Sequence, residues 1–195
     1  MKKQIWDSTK MLLVMTIFTG LVYPLVMTAI AQIIFPKQAN GSMIRMNGRL
    51  VGSRLIGQNF TSDKYFWPRP SAIGYNPLPS GGSNYGPTSD TLKELVEMRR
   101  KGFIRLNGLP ANTKVPPDML YASGSGLDPD ISPASAELQT NRVARARGFD
   151  NLQTAALRKL VQSHIEGPQL GFLGDPRVNV LVLNLALDSL DVNSR

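Results

Sequence analysis

Few residues in this chain have the types and spacing that chemistry needs. The only histidine is His164. A Ser-His-Asp triad would have to use it, with Ser125 of Gly124-Ser125-Gly126 as the serine on offer. No G-x-S-x-G elbow exists to expose a serine, however. His164 therefore reads as a surface residue at a helix C-terminus. No G-x-x-x-x-G-K-[ST] occurs, so there is no phosphate-cradling P-loop, and Gly81-Gly82-Ser83-Asn84 is a glycine-bearing loop of another kind. No aspartate stands in a phosphorylation signature of the P-type pumps. Cysteine is absent, which removes disulfides and thiolate metal sites. Asp128 and Asp130 could ligate a hard cation, but beside Pro129 they read as caps of a turn and a helix. The expectation is a chain with no catalytic residues, no metal and no cofactor of its own.

The charge balance points the same way. The chain carries 22 basic and 14 acidic residues, a net charge of +8. A basic protein suits nucleic acid, anionic lipid or an acidic partner. The basic clusters are Arg99-Arg100-Lys101 and Arg142, Arg145, Arg147. Neither is interleaved with aromatics, so both read as solvated helix faces, and no nucleic-acid partner is expected.

The elements that hold these residues begin with a membrane segment. No charge occurs between Lys10 and Lys37. About 20 apolar residues span the hydrocarbon, and Met11 to Phe35 exceeds that, so the span must tilt or kink. Its Leu, Ile, Val and Phe residues favour insertion by about 4–8 kcal/mol before the polar residues are subtracted. Pro24 frees one backbone carbonyl for a neighbouring helix or a threonine hydroxyl. Thr16, Gly20 and Ala31 lie at near-helical spacing, a small-residue face on which another helix can pack. A cleaved signal peptide is the rival, with Ala29-Ile30-Ala31 as its cleavage site, but the apolar stretch is longer than such a peptide needs. Lys2, Lys3 and Lys10 lean toward a cytoplasmic N-terminus. The division expected is residues 1–10 cytoplasmic, 11–35 transmembrane and 36–195 a soluble domain outside the cytoplasm.

The soluble part reads as one α+β domain with long ordered loops and few strands. Asn47-Gly48 between half-apolar runs signals a hairpin. Residues 57–87 are rich in Pro and Gly yet hold Phe60, Tyr65, Phe66, Trp67, Tyr75 and Tyr85. Disordered linkers are poor in aromatics, so this is an ordered, irregular loop, and such loops are usually functional. Thr88 or Ser89 caps a helix to residues 99–106 that Gly102 ends or weakens. A second small-residue loop covers 121–131. Ser132-Pro133 starts a helix that ends at Gly148, and Asp150 with Gln153 forms a capping box for a helix over 151–165. The run 177–184 reads as a buried strand, followed by a short terminal helix.

Taken in order, GQNFT (57–61), YFWPRPSA (65–72), YNPLPSGGSN (75–84), ASGSGLDPDISPASA (122–136), RVARARG (142–148) and VNVLVLNLALD (178–188) behind one N-terminal span resemble KdpC. This is the small C-subunit family of the bacterial Kdp potassium-transporting ATPase, and the resemblance runs along nearly the whole chain. Asp130 departs from it, since relatives often carry His there. The resemblance implies a non-catalytic accessory subunit of a high-affinity potassium uptake complex in the bacterial inner membrane. Its partners would be a channel-like potassium-binding subunit, a P-type ATPase subunit and often a very small fourth subunit. It is needed for assembly and acts as a catalytic chaperone that raises the ATP affinity of the ATPase subunit, so ATP belongs to that subunit. The SGGSN loop resembles an ABC-transporter signature weakly. The residues expected to meet partners are Thr16, Gly20, Pro24, Phe60, Trp67, Ser80, Gly81, Gly82, Ser83 and Asn84. The alternative is a membrane-anchored extracytoplasmic ligand-binding protein that uses the aromatic loop as its platform, and a third reading is an anchored hydrolase using Ser125 and His164.

Overall fold

The computed structural model describes residues 1–46 and 48–193. The chain divides into two units, Met1–Ser53 and Arg54–Arg195.

The first unit opens with continuous helix from Lys2 to Ile34, apolar enough to cross a membrane and with none of its apolar window buried by the rest of the chain. The helix begins nine residues earlier than the charge pattern implied, because Lys2, Lys3, Asp7 and Lys10 continue it rather than flank it. It is built from α1 (Lys2–Ile17), a π-helical turn (Phe18–Val22) and α2 (Tyr23–Ile34). The π-turn answers the proline. Pro24 cannot donate to the preceding turn, and the Tyr23 N–H donates five residues back, to the Phe18 carbonyl. Pro24 then falls at the start of α2, where its fixed φ suits the backbone. Thr19 turns its hydroxyl back to the Met15 carbonyl at 2.7 Å, one turn ahead of the carbonyl that the proline deprives.

A short α3 (Pro36–Ala39) leads to the hairpin of β1 (Met43–Met46) and β2 (Arg49–Ser53), paired antiparallel with Met46 opposite Arg49. Gly48 has φ +76°, as a tight turn requires; Asn47, the other half of the expected turn, lies outside the described residues. A bulge between Ile44 and Arg45 shifts the register.

The second unit contains α4 (Asp90–Asn107), a 3₁₀ turn (Pro117–Met119), β3 (Asp130–Ile131), α5 (Pro133–Arg147), α6 (Asn151–Ser163), β4 (Ile165–Glu166), β5 (Arg177–Asn179) and α7 (Val180–Asn193). The sheet is small, ordered β3-β5-β4 and antiparallel. Its core joins Phe66 from the long loop to Val143 of α5, Leu157 and Val161 of α6, Val178 of β5 and Leu183 and Leu187 of α7. These helices form where the caps say they should. Ser89, Ser132 and Asp150 each accept a hydrogen bond from a first-turn N–H, and Gly108 and Gly148 close α4 and α5 with left-handed φ. Both halves of the capping box at Asp150 and Gln153 are present. Asp150→Ala should therefore lower the thermal midpoint by roughly 2–4 °C, the effect of losing about 1 kcal/mol, measurable by circular dichroism.

Two expectations fail. Gly102 neither ends nor interrupts α4, which runs on to Asn107 because the left-handed stop lies at Gly108. The run 177–184 is strand only as far as Asn179. Its partners β3 and β4 supply two residues each, and Asn179 Oδ1 then accepts the Val182 N–H at 3.1 Å, which starts α7 in mid-run.

Candidate functional site

The loop 57–87 and the loop over 120–131 are laced to each other. Gly57 N–H donates to the Leu127 carbonyl at 2.7 Å, Gly81 N–H to that of Ser125 at 3.0 Å, and Ser123 N–H to that of Pro70 at 3.2 Å. Glycine permits this closeness. A Cβ on Gly57 would stand 2.5 Å from the Asp128 carbonyl oxygen, and one on Gly126 would stand 2.8 Å from that of Gly81. The small residues of both loops are thus contact points between two backbones.

Beneath them lies a network centred on Arg142. Its guanidinium is buried, donates to Asn107 Oδ1 (2.9 Å), Gln139 Oε1 (2.8 Å) and the carbonyls of Asp63 (2.6 Å) and Tyr65 (3.0 Å), and lies 3.6 Å from the Trp67 ring centroid. Burial pulls its pKa down to about 10, so it stays charged near neutrality. Gln139 also brackets the Trp67 backbone, accepting from its N–H and donating to its carbonyl. Asn184 of α7 does the same for Phe66. Arg147 donates to the Lys64 carbonyl and to Asp188, whose other oxygen accepts from the Tyr65 hydroxyl. Arg142 and Arg147 are therefore not a solvated face. Spaced to bind backbone carbonyls, they clamp the aromatic loop to α5.

The expected contact residues fall into two groups. Thr16, Gly20 and Pro24 lie on the exposed helix of the first unit. In the second unit Ser80, Ser83 and Asn84 are exposed, with Gly81 and Gly82 half-buried. Phe60 packs on the core, and Trp67 is half-buried, stacked on Arg142. Sequence reasoning missed an open cleft of about 490 Å³ beside Phe60 and Trp67, walled by Arg69, Pro70 and Tyr75 on one side and by Arg99, Gly102 and Leu106 of α4 on the other. The one signal available was a glycine inside a helix. Burial pushes the Tyr75 hydroxyl up to about 12, and it is bonded to the Arg69 carbonyl.

The other groups singled out for chemistry are engaged locally. The Ser125 hydroxyl accepts from Leu127 N–H at 3.1 Å, and His164 Nδ1 sits 2.8 Å from the Leu160 carbonyl at the end of α6. Asp128 accepts from Asp130 N–H (3.0 Å) and from Arg69 (2.8 Å). Asp130 accepts from Asn179 (2.9 Å) and pairs with Arg177 at 3.2 Å. Asp128 holds the turn, as read; the Asp130 carboxylate caps no helix and instead ties β3 to β5, and the helix cap is Ser132. Among the described residues no three His, Cys, Asp or Glu side chains converge to hold a metal. Burial raises the Asp130 pKa above its usual 3.8. A folded carboxyl with a raised pKa stabilises below the ordinary carboxylate range and loses that stabilisation as pH rises through the raised value. Asp130→Asn should abolish this contribution, flattening the stability profile above pH 3.8 in denaturant titrations relative to the parent.

The family model for KdpC, the c chain of K+-transporting ATPase, matches residues 5–189. The chain is 52% identical over 192 residues to the potassium-transporting ATPase KdpC subunit of Geobacter sulfurreducens, covering 96% of this chain and 98% of that one. It is 47% identical to the subunit of the same name from Mycobacterium bovis, covering 97% and 100%. With that of Methylococcus capsulatus it shares 52% over 92% and 94% of the two chains.

Proposed function

The chain belongs to the KdpC family, the c chain of K+-transporting ATPase, and from that membership we propose that it serves its complex without catalysing. In this reading it is a non-catalytic accessory subunit, needed for assembly with a channel-like subunit and a P-type ATPase subunit, and it raises the affinity of the ATPase subunit for ATP. The observation that supports it most is the helix Lys2–Ile34, whose apolar window is left entirely uncovered by its own chain. Such a surface needs lipid or other helices around it.

The proposed site is the bacterial inner membrane, with the N-terminus in the cytoplasm and the second unit outside. Lys2, Lys3 and Lys10 at the helix start favour that orientation. It separates the large unit from cytoplasmic ATP by roughly 30 Å of hydrocarbon, so the effect on ATP is a coupling energy transmitted through the complex. Thr16, Gly20 and Pro24 in the span and Ser80, Gly81, Gly82, Ser83 and Asn84 outside are the proposed contacts.

A tagged chain should co-purify with both large subunits, and the ATPase subunit purified without the chain should show a higher KM for ATP than the complete complex. An unchanged KM sinks the chaperone role, and a solitary monomer favours the ligand-binding alternative. Ser83→Cys should react with an impermeant maleimide from outside intact spheroplasts; labelling only after lysis overturns the orientation.

A further inference from the structure

The cleft beside Phe60 and Trp67 is more than a crease between a loop and a helix. Arg99, Gly102, Phe103 and Leu106 recur at the spacing of one helical face, so one stripe of α4 forms a whole wall. Gly102 lies inside this 18-residue helix, more than a turn before its end at Asn107. Glycine loosens a helix interior relative to alanine, and nothing among the described residues calls for it. A Cβ built there meets no atom within 4 Å, and its φ is not among the left-handed ones.

The charges of the cleft are one-sided. Among the described residues its cations are Arg69 and Arg99, and no carboxylate lines it. Arg69 is already paired with Asp128. Arg99 donates to the Leu120 carbonyl at 2.8 Å, and no carboxylate pairs with it among the described residues. Burial alone lowers its pKa, with no acidic neighbour to offset that. The rest of the lining is mostly proline, aromatic and aliphatic, with Asn59 and Ser71 as polar side chains among it, the kind of surface on which an extended backbone lies.

We propose that this cleft seats an extended segment of another subunit of the complex, with an Asp or Glu side chain on Arg99 and its backbone pressed against Gly102. The proposal rests on the accessory-subunit reading and adds to it the chemistry of the partner. Arg99 supplies the charge complement and Gly102 the clearance.

A photo-crosslinking residue at Leu106, half-exposed on the cleft wall, tests it in the assembled complex in membranes; Leu152, exposed on α6, is the control position. The Leu106 probe should capture a partner subunit, and mass spectrometry should map the product to a stretch containing Asp or Glu. Arg99→Glu and Gly102→Leu should each cut that product at least tenfold, and reversing the charge of the mapped acid should restore it in Arg99→Glu. The thermal midpoint of Gly102→Leu should match or exceed the parent, which separates a lost contact from a lost fold. Crosslinks to lipid only, to a stretch without an acid, or undiminished by Arg99→Glu overturn the proposal. So does a complex that co-purifies intact yet gives no Leu106 product, an outcome that leaves the accessory-subunit reading standing. Failure to co-purify at all overturns both.

Discussion

Arg142→Leu is expected to lower the unfolding free energy by about 4 kcal/mol, near the top of what one substitution does. The leucine removes donors to four buried or half-buried oxygens at once, two of them backbone carbonyls at Asp63 and Tyr65 that cannot turn away. Each unsatisfied buried acceptor costs about 1–3 kcal/mol; the amides of Asn107 and Gln139 can rotate and recover part of the loss. The stacking on Trp67 also goes. Arg142→Lys keeps the charge but not the planar fork, so about half of the loss should remain. Denaturant unfolding followed by tryptophan fluorescence reads this directly, since the chain has only Trp6 and Trp67. A change under 1 kcal/mol in Arg142→Leu would show that the loop is held elsewhere.

Gly126→Val should separate the two laced loops. A Cβ there meets Ile73 Cγ1 at 2.5 Å and the Gly81 carbonyl oxygen at 2.8 Å, on a residue with φ +69°. The isoleucine can rotate, but the carbonyl is backbone. Left-handed φ with a branched side chain and the overlap together cost about 3 kcal/mol. The strain is relieved by giving up the Gly81–Ser125 hydrogen bond rather than by unfolding the core. Co-purification with the large subunits should fall at least tenfold, with new protease cleavage between residues 73 and 88, while the helical circular dichroism stays. Gly148→Ala is the control. It has the same φ of +69° with nothing within 4 Å, so it carries only the backbone term of about 1 kcal/mol.

What could be read from the sequence was local. Ser132, Gly148 and the Asp150–Gln153 pair act on groups within four residues, so their chemistry is written in their spacing. Arg142 could not be read this way. Its partners stand at 63, 65, 67, 107 and 139, and only the folded chain brings four of those five beside α5. The run Val178 to Leu183 was ambiguous for the same reason. Alternating β-branched residues suit a strand, but how far a strand extends depends on its partners, and these end after two residues. Gly102 was visible and read as ending or weakening its helix; it does not end it, because the stop belongs to Gly108. The family resemblance reached the assembly but not the cleft, because a cleft belongs to residues that no single motif contains.

The π-turn at Phe18–Val22 changes how the span can be shared. A turn closed by bonds five residues back takes about one residue more than an α-turn. The helix beyond it therefore lags by roughly 100°, the angle of one residue. Thr16 and Ala31 are fifteen apart in sequence but stand as though about fourteen apart, two heptads rather than a drifting stripe. The proline thereby acts as a phase corrector. It aligns small residues from both halves of the span along one seam, on which a second helix could lie from end to end in a left-handed crossing.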